Sequence, residues 1–421
     1  MNQGRGRGLL SSLCDAGRFV RRVFFPDEKA CKKVCNNLKG LCYMNRFLGR
    51  VADFIRETDK LLFLLCIIAS GYGCVAVLSA THPSGSLRRF FMQVVALAIG
   101  VVAASVISTI DYKNIAKFWP LITGGSLVLV GLTFFVGFAP EGTDDKAWLL
   151  LPGGLSLQPA ELLKIAFVIT FGLHISHVKE KINKPLHLLL LCIHGAVPVI
   201  LIHFQGDDGT AMVFAVMFIC MLFAGGLKLR YFIIAGVLLL ISLPLIWFFV
   251  MNADQQARII SLLNPEDDLL GDGWQQWRGR VALASGGWFG KGLFNGPHVQ
   301  SETVPEGYND FIIASIGEEL GLVGVLLVIV LLAAICIRIL QIGHMARDTL
   351  GTIMCTGIFA MLAAQIIINL GMCFSVLPVV GVTLPFFSAG GTSLACLFLG
   401  IGLALSVYMH RNSRTIYLRE L

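Results

Sequence analysis

Residues 311–340 read FIIASIGEELGLVGVLLVIVLLAAICIRIL, and from Gly321 to Ile337 the stretch carries no charge. A bilayer core is crossed by a helix of about 20 apolar residues. In hydrocarbon every backbone N–H and C=O must bond within its own segment, so such a run folds as a helix. This one is longer than the core requires. It predicts a helix that tilts or projects beyond the membrane.

Working outward, comparable runs fall at 61–80, 90–110, 117–138, 160–177, 186–203, 210–227, 230–251, 351–376 and 388–410. Together they predict an all-α, polytopic transmembrane helix bundle of about ten spans. Composition agrees: the chain is 56% hydrophobic and 14% charged, where a soluble domain carries about 25% charged residues. Too little charge is present to cover a soluble surface. The first long run begins near Leu61, too deep for a cleaved signal peptide.

Charge sets an expected orientation. Of 33 Lys and Arg, 13 lie in residues 1–60. Lys113, Lys117, Lys179, Lys181, Lys184, Lys228, Arg230, Arg338 and Arg347 fall in alternate short loops, and Arg411, Arg414 and Arg419 in the C-tail. The intervening short loops hold only Arg88, Arg89 and Lys146. Cations accumulate on the cytoplasmic side, so both termini are expected in the cytoplasm. The net charge of +7 is thus spent on orientation and is no footprint for nucleic acid. The expected organisation is a basic cytoplasmic tail at 1–59, a transmembrane domain at 60–412 and a short cytoplasmic tail at 413–421. In the N-tail, Phe19, Val20, Val23, Phe24 and Phe25 sit among arginines. That fits either an interfacial helix on anionic lipid or a solvated tail.

Residues 252–310 form one long extracellular loop in this scheme. It holds a turn-rich Asn264-Pro265-Glu266-Asp267-Asp268, several glycines, and Trp274, Trp277, Trp288 and Phe289. A loop of that length is functional or disordered, and the aromatics favour a headgroup-level structure. Most of the 12 cysteines sit in apolar runs and read as small hydrophobes. Cys31 and Cys35 lack a second pair or nearby histidine, so no metal site is assigned.

Ionisable residues inside spans are costly and normally face polar cavities. Lys164 is the one Lys or Arg placed well within an apolar run, with Glu161 three residues earlier on the same helix face. They read as a functional pair or a self-satisfying ion pair. Glu318 and Glu319 read as functional, or as capping a helix break near Gly317 and Gly321. Asp310 stands where the long loop enters the membrane. An acid there caps a helix or serves as a general base. Asp207 and Asp208, in a tight turn before 210–227, read as turn plus N-cap or as site residues.

Several of these segments resemble one family. Gln158-Pro159-Ala160-Glu161-Leu162-Leu163-Lys164, the Gly-Lys-Gly stretch within 284–292, Pro305-Glu306-Gly307-Tyr308-Asn309-Asp310-Phe311-Ile312, Ile316-Gly317-Glu318-Glu319-Leu320-Gly321 and the segment 377–393 are similar to motifs of the SEDS (shape, elongation, division and sporulation) family, which includes RodA, FtsW and SpoVE. The resemblance spans roughly 60–412. Departures are Gly206 and Asp208 where members have Pro and Leu, Arg278-Gly279 for Gln-Ser, and Asn295-Gly296-Pro297-His298 for Gly-Thr-Gln.

The resemblance implies a peptidoglycan glycosyltransferase in a bacterial cytoplasmic membrane. Its substrate would be lipid II, an undecaprenyl-diphosphate-linked disaccharide-pentapeptide, polymerised with inversion at the outer face. Asp310 matches the family's proposed catalytic aspartate. Lys164, Arg280 and Lys291, in that order, are the cations expected to meet the leaving diphosphate. Glu161, Asp207, Glu318 and Ser388 join them as expected substrate-binding residues. A divalent cation sharing that charge is left open. A class B penicillin-binding protein is the implied partner, and the Gly-Lys-Gly stretch leans towards a RodA-like member. The competing reading is a lipid-linked-sugar flippase, which also needs intramembrane charges but no base beside a glycine-rich loop.

Overall fold

The structure, a computed structural model, describes Phe54 and residues 56–139, 146–151, 155–263 and 272–412. The N-tail before these residues, the C-tail 413–421 and the turn-rich Asn264–Asp268 lie outside them. The chain divides into two units, Met1–Glu57 and Thr58–Leu421.

The second unit is a helix bundle. Its helices are α1 (Lys60–Ala80), α2 (Arg88–Ser108), α3 (Tyr112–Lys117), α4 (Trp119–Val136), α5 (Pro159–Val178), α6 (Pro185–His203), α7 (Asp208–Ala224), α8 (Leu229–Phe249), α9 (Ala253–Leu263), α10 (Asp272–Ser285), α11 (Pro297–Gln300), α12 (Ile312–His344), α13 (Thr349–Cys373) and α14 (Gly391–Met409). Among the described residues, nine helices are long and apolar enough to cross a membrane. The tenth expected span corresponds to α7, apolar but only 17 residues long, about 25 Å.

The bundle has a lipid-like exterior. Two thirds (67%) of the most apolar window of α5, of α13 and of α14 is buried, whereas α8 buries none of its side chains. Exposed Leu238, Leu240, Ile241 and Phe248 on α8 are too apolar for water. Interior helices approach through small residues, as lipid-embedded helices do. A Cβ on Gly402 of α14 would stand 2.9 Å from the Cα of Ala104 on α2. At one end, the Asp59 carboxylate caps α1 through the Leu62 amide at 2.7 Å. Arg338 of α12 grips the same carboxylate at 2.5–3.2 Å and ties the two helices together.

Two features depart from the sequence reading. A small antiparallel hairpin, β1 (Leu149–Leu151) with β2 (Leu155–Leu157), precedes α5. Its triplets, Leu-Leu-Leu and Leu-Ser-Leu, are too short to register as hydropathy. The long loop 252–310 holds α9, α10 and α11, and its glycine stretch is built into α12. Gly321 breaks that 33-residue helix with φ 67° and ψ −168°, a region costly to any residue with a Cβ. The break exposes backbone groups, and the loop satisfies them. Lys291 and Gly292 amides donate to Glu318 and Glu319 carbonyls, and Leu322 and Val323 amides donate to Gly287 and Trp288 carbonyls.

Candidate active site

Asp310 lies at the end of a tight coil leading into α12. Glu306 adopts φ 49°, and its carbonyl accepts from the Asn309 and Phe311 amides. Phe311 is fully buried beneath α10, which comes close because residue 279 is glycine. A Cβ there would lie 2.8 Å from the Phe311 ring. The peptide around Asp310 is held from two further sides. Asn369 of α13, itself fully buried, donates through Nδ2 to the Asp310 carbonyl at 2.8 Å and to the Val382 carbonyl at 2.7 Å. Ser388 Oγ donates to the Asn309 carbonyl at 2.7 Å and accepts from the Leu384 amide. Gln93 of α2 brackets the segment that carries Ser388, donating to the Ser388 carbonyl and accepting from the Gly390 amide. Asp310 as a residue is left partly exposed, with its Oδ1 buried. Its Oδ2 lies 3.7 Å from the place a Cβ on Gly381 would occupy, so a side chain at 381 would crowd the carboxylate.

The second polar centre is enclosed. Lys164 Nζ lies 2.8 Å from Glu161 Oε1, with side chains 1% and 8% exposed. Glu161, Gln365, Ser393 and Ser388 line a cavity of about 20 Å3 beneath residues 383–390, room for about one water. Ser388 therefore joins the two centres, bonding the Asp310 coil on one side and facing Glu161 on the other. Asp207 caps α7 through the Thr210 amide (2.8 Å) and receives Gln158 Nε2 (2.7 Å). Burial pushes its carboxyl above the usual range; the Thr210 hydrogen bonds and the nearby Lys164 charge pull it partly back. The turn-and-cap alternative is the geometry found, within electrostatic reach of the Glu161–Lys164 pair.

The other expected residues lie elsewhere. Glu318 is fully buried and takes four donors: the His298 amide and Nδ1, the Val299 amide and the Ser285 hydroxyl. Glu319 receives Ser79 and Gln300. Both glutamates fasten the 285–300 segment to the kink of α12, so Glu318 as placed is a fastening residue and has no carboxylate surface open to substrate. Solvent access also reorders the cations. Lys164 is sealed against Glu161, while Arg280 and Lys291 are exposed. Arg280 borders a groove of about 430 Å3 with Trp277, Leu283 and Phe374. Among the described residues no group of three or more His, Cys, Asp or Glu is placed to hold a metal ion.

Three contributors escaped the sequence reading. Gln93 is the single amide of its apolar run and Asn369 one of two in its own, with Gln365, and that rarity was the available signal. Arg89 counted only as an exception to the charge bias, yet its guanidinium lies 4.0 Å over the Tyr308 ring, two residues from Asp310.

The fold and site define a multi-pass membrane protein with a carboxylate at a loop–helix junction and a buried ion pair behind it. The profile of the FtsW/RodA/SpoVE family, described as a cell cycle protein, matches residues 59–413, and the chain belongs to that family. It is 35% identical to the peptidoglycan glycosyltransferase MrdB of Escherichia coli K12, over 85% of this chain and 94% of that one. It is 31% identical to a probable peptidoglycan glycosyltransferase FtsW of Geobacter metallireducens, over 84% and 95%. Among solved structures, a chain from a peptidoglycan synthase complex superposes with TM-score 0.72 at 25% identity, covering 85% of this chain and 99% of that one. The rod shape determining protein RodA of Thermus thermophilus, in an aspartate-to-alanine variant, gives 0.64 at 25% identity with the same coverage.

Proposed function

We infer that the chain is a peptidoglycan glycosyltransferase of the membrane, polymerising lipid II into glycan strands. The observation that carries this reading is the partly exposed Asp310, on a coil whose backbone is bonded by Asn369 and by Ser388, which Gln93 holds in turn. A base must be held still relative to the hydroxyl it serves, and this one is held by its peptide in a residue that stays partly exposed.

In the proposed step, a sugar hydroxyl of one lipid II attacks the anomeric carbon of a second, lipid-linked sugar. The new O–C bond forms as the bond from that carbon to the diphosphate oxygen breaks. The hydroxyl proton passes to Asp310, and the diphosphate leaves with the bonding pair. Attack opposite an α-linked leaving group yields a β-linkage. Arg280 is an exposed cation able to offset charge on the diphosphate, with exposed Lys291 beside the α12 kink. Lys164 acts as a positioning group through Glu161 and Ser388. An apolar groove of about 330 Å3 between α2, α4, α5 and α14, lined by Ile107, Gly125, Leu162, Ile165 and Leu403, suits a polyprenyl chain.

The charge distribution supports ten spans, with α7 as the short one, both termini cytoplasmic, and Asp310 and the 252–310 segment outside. A solved relative belongs to a peptidoglycan synthase complex, which supports a class B penicillin-binding protein as transpeptidase partner. The test is purified protein with labelled lipid II and no other polymerase. Wild type is expected to make glycan chains, and Asp310→Asn to make none while keeping its detergent melting profile. Wild-type polymer yield from Asp310→Asn removes this residue from catalysis. Translocation without polymer identifies a flippase.

A further inference from the structure

Next to Asp310 lies a cavity that the glycosyl transfer itself does not use. It has a volume of about 240 Å3 and lies between the α1–α2 turn and the segment 299–308. Thr81, Ser84 and Arg89 form one wall, and Glu302, Glu306 and Tyr308 the other. The charged groups decide what it takes. Arg89 is stacked 4.0 Å over the Tyr308 ring, which steadies the guanidinium and covers the aromatic face a sugar would use. The Tyr308 hydroxyl donates to Glu306 Oε1 at 3.3 Å. Two carboxylates against one guanidinium disfavour a diphosphate. Both signs within one small cavity match a zwitterion, with an ammonium towards Glu302 and Glu306 and a carboxylate towards Arg89.

Reach fits as well. Tyr308 precedes Asp310 by two residues, so the cavity begins within about 7 Å of the Asp310 backbone. The third residue of an extended peptide lies about 10 Å from its attachment point. We propose that this cavity binds the charged distal end of the diamino acid in the lipid II stem peptide, while the saccharide of the same molecule lies at Asp310. The proposal rests on the lipid II reading of the site. It makes Glu306, Glu302 and Arg89 specificity determinants for the peptide, separate from the chemistry at the sugar.

The test compares KM and kcat of the full-length purified chain on three lipid II probes. One carries meso-diaminopimelate at the third stem position, one the same residue with its distal amine acetylated, and one lysine. Acetylation is expected to raise KM about tenfold with kcat held within about twofold; lysine, which keeps the ammonium and lacks the carboxylate, falls between. Glu306→Gln is expected to erase the difference between the free and acetylated amine. Arg89→Gln is expected to erase the difference between meso-diaminopimelate and lysine. If Glu306→Gln folds poorly, Glu302→Gln, at an exposed position, carries the same readout. Equal KM for all three probes in wild type, or undiminished discrimination in the glutamine variants, overturns the proposal. Wild type that polymerises none of the probes refutes the lipid II reading itself.

Discussion

Lys164 and Glu161 form a buried ion pair one turn into α5. Neither charge has solvent to fall back on, so removing one strands the other, at about 3–5 kcal/mol. Lys164→Met and Glu161→Gln are each expected to lower the melting temperature in detergent. The double variant is expected to recover most of the loss, because no charge is left unpaired. Equal melting of the single variants and wild type would show that the pair is not ionised. Ser388→Ala removes a hydroxyl that bonds Asn309, worth about 1 kcal/mol of stability, yet it loosens the coil that aims Asp310. The expected signature is a clear fall in kcat with little change in melting; unchanged kcat would show the coil is held without it. The Glu161–Lys164 pair was legible in the sequence, because opposite charges three residues apart share a helix face; whether it acts on substrate or only satisfies itself was not. The Ser388–Asn309 bond joins positions 79 residues apart, and nothing local to either announces it.

Among the elements, α12 shows how a break is made useful. Gly321 turns the chain into the left-handed region, and the freed backbone groups bond the glycine stretch 287–292. A Cβ at 321 would stand 2.4 Å from the Gly290 amide and 2.5 Å from the Trp288 carbonyl. Gly321→Ala therefore meets both a strained φ and a backbone clash, with the strain alone on the order of 1–3 kcal/mol. The expected result is faster proteolysis within 286–300, a lower melting temperature and weak polymerisation. Gly287→Ala, also at positive φ but facing open space, is expected to be milder on all three measures; equal effects would show that strain and not the loop contact matters. The motif Ile316–Gly321 hinted at this break, since two glycines flank two acids inside a span. The helices of the long loop were missed, although α9 carries a helical apolar stripe. α9 and α10 are short and mixed in polarity, so hydropathy read their segment as one undivided loop.

For the whole molecule, the question is how one protein serves a substrate that is half lipid and half sugar. The bias of Lys and Arg towards the tails and alternate loops predicts cytoplasmic termini, so a fluorescent reporter fused after Leu421 is expected to light up on the cytoplasmic side; an externally placed reporter would invert the scheme. The groove between α2, α4, α5 and α14 is apolar along its length and is bordered by Leu162, next to Glu161. A polyprenyl tail lying there would bring its headgroup towards the enclosed polar centre. Gly125 makes the idea testable, because a Cβ there meets nothing within 4 Å and the position lines the groove. Gly125→Phe is expected to fill the groove without straining the bundle. Melting should stay near wild type while KM for lipid II rises. Gly124→Phe is the control, since its Cβ also meets nothing and it is not among the groove's lining residues. Equal KM in the two variants would place the lipid elsewhere. A KM rise confined to Gly125→Phe would mean that the fold separates its tasks, with the tail held in the groove and the sugar presented to the Asp310 coil.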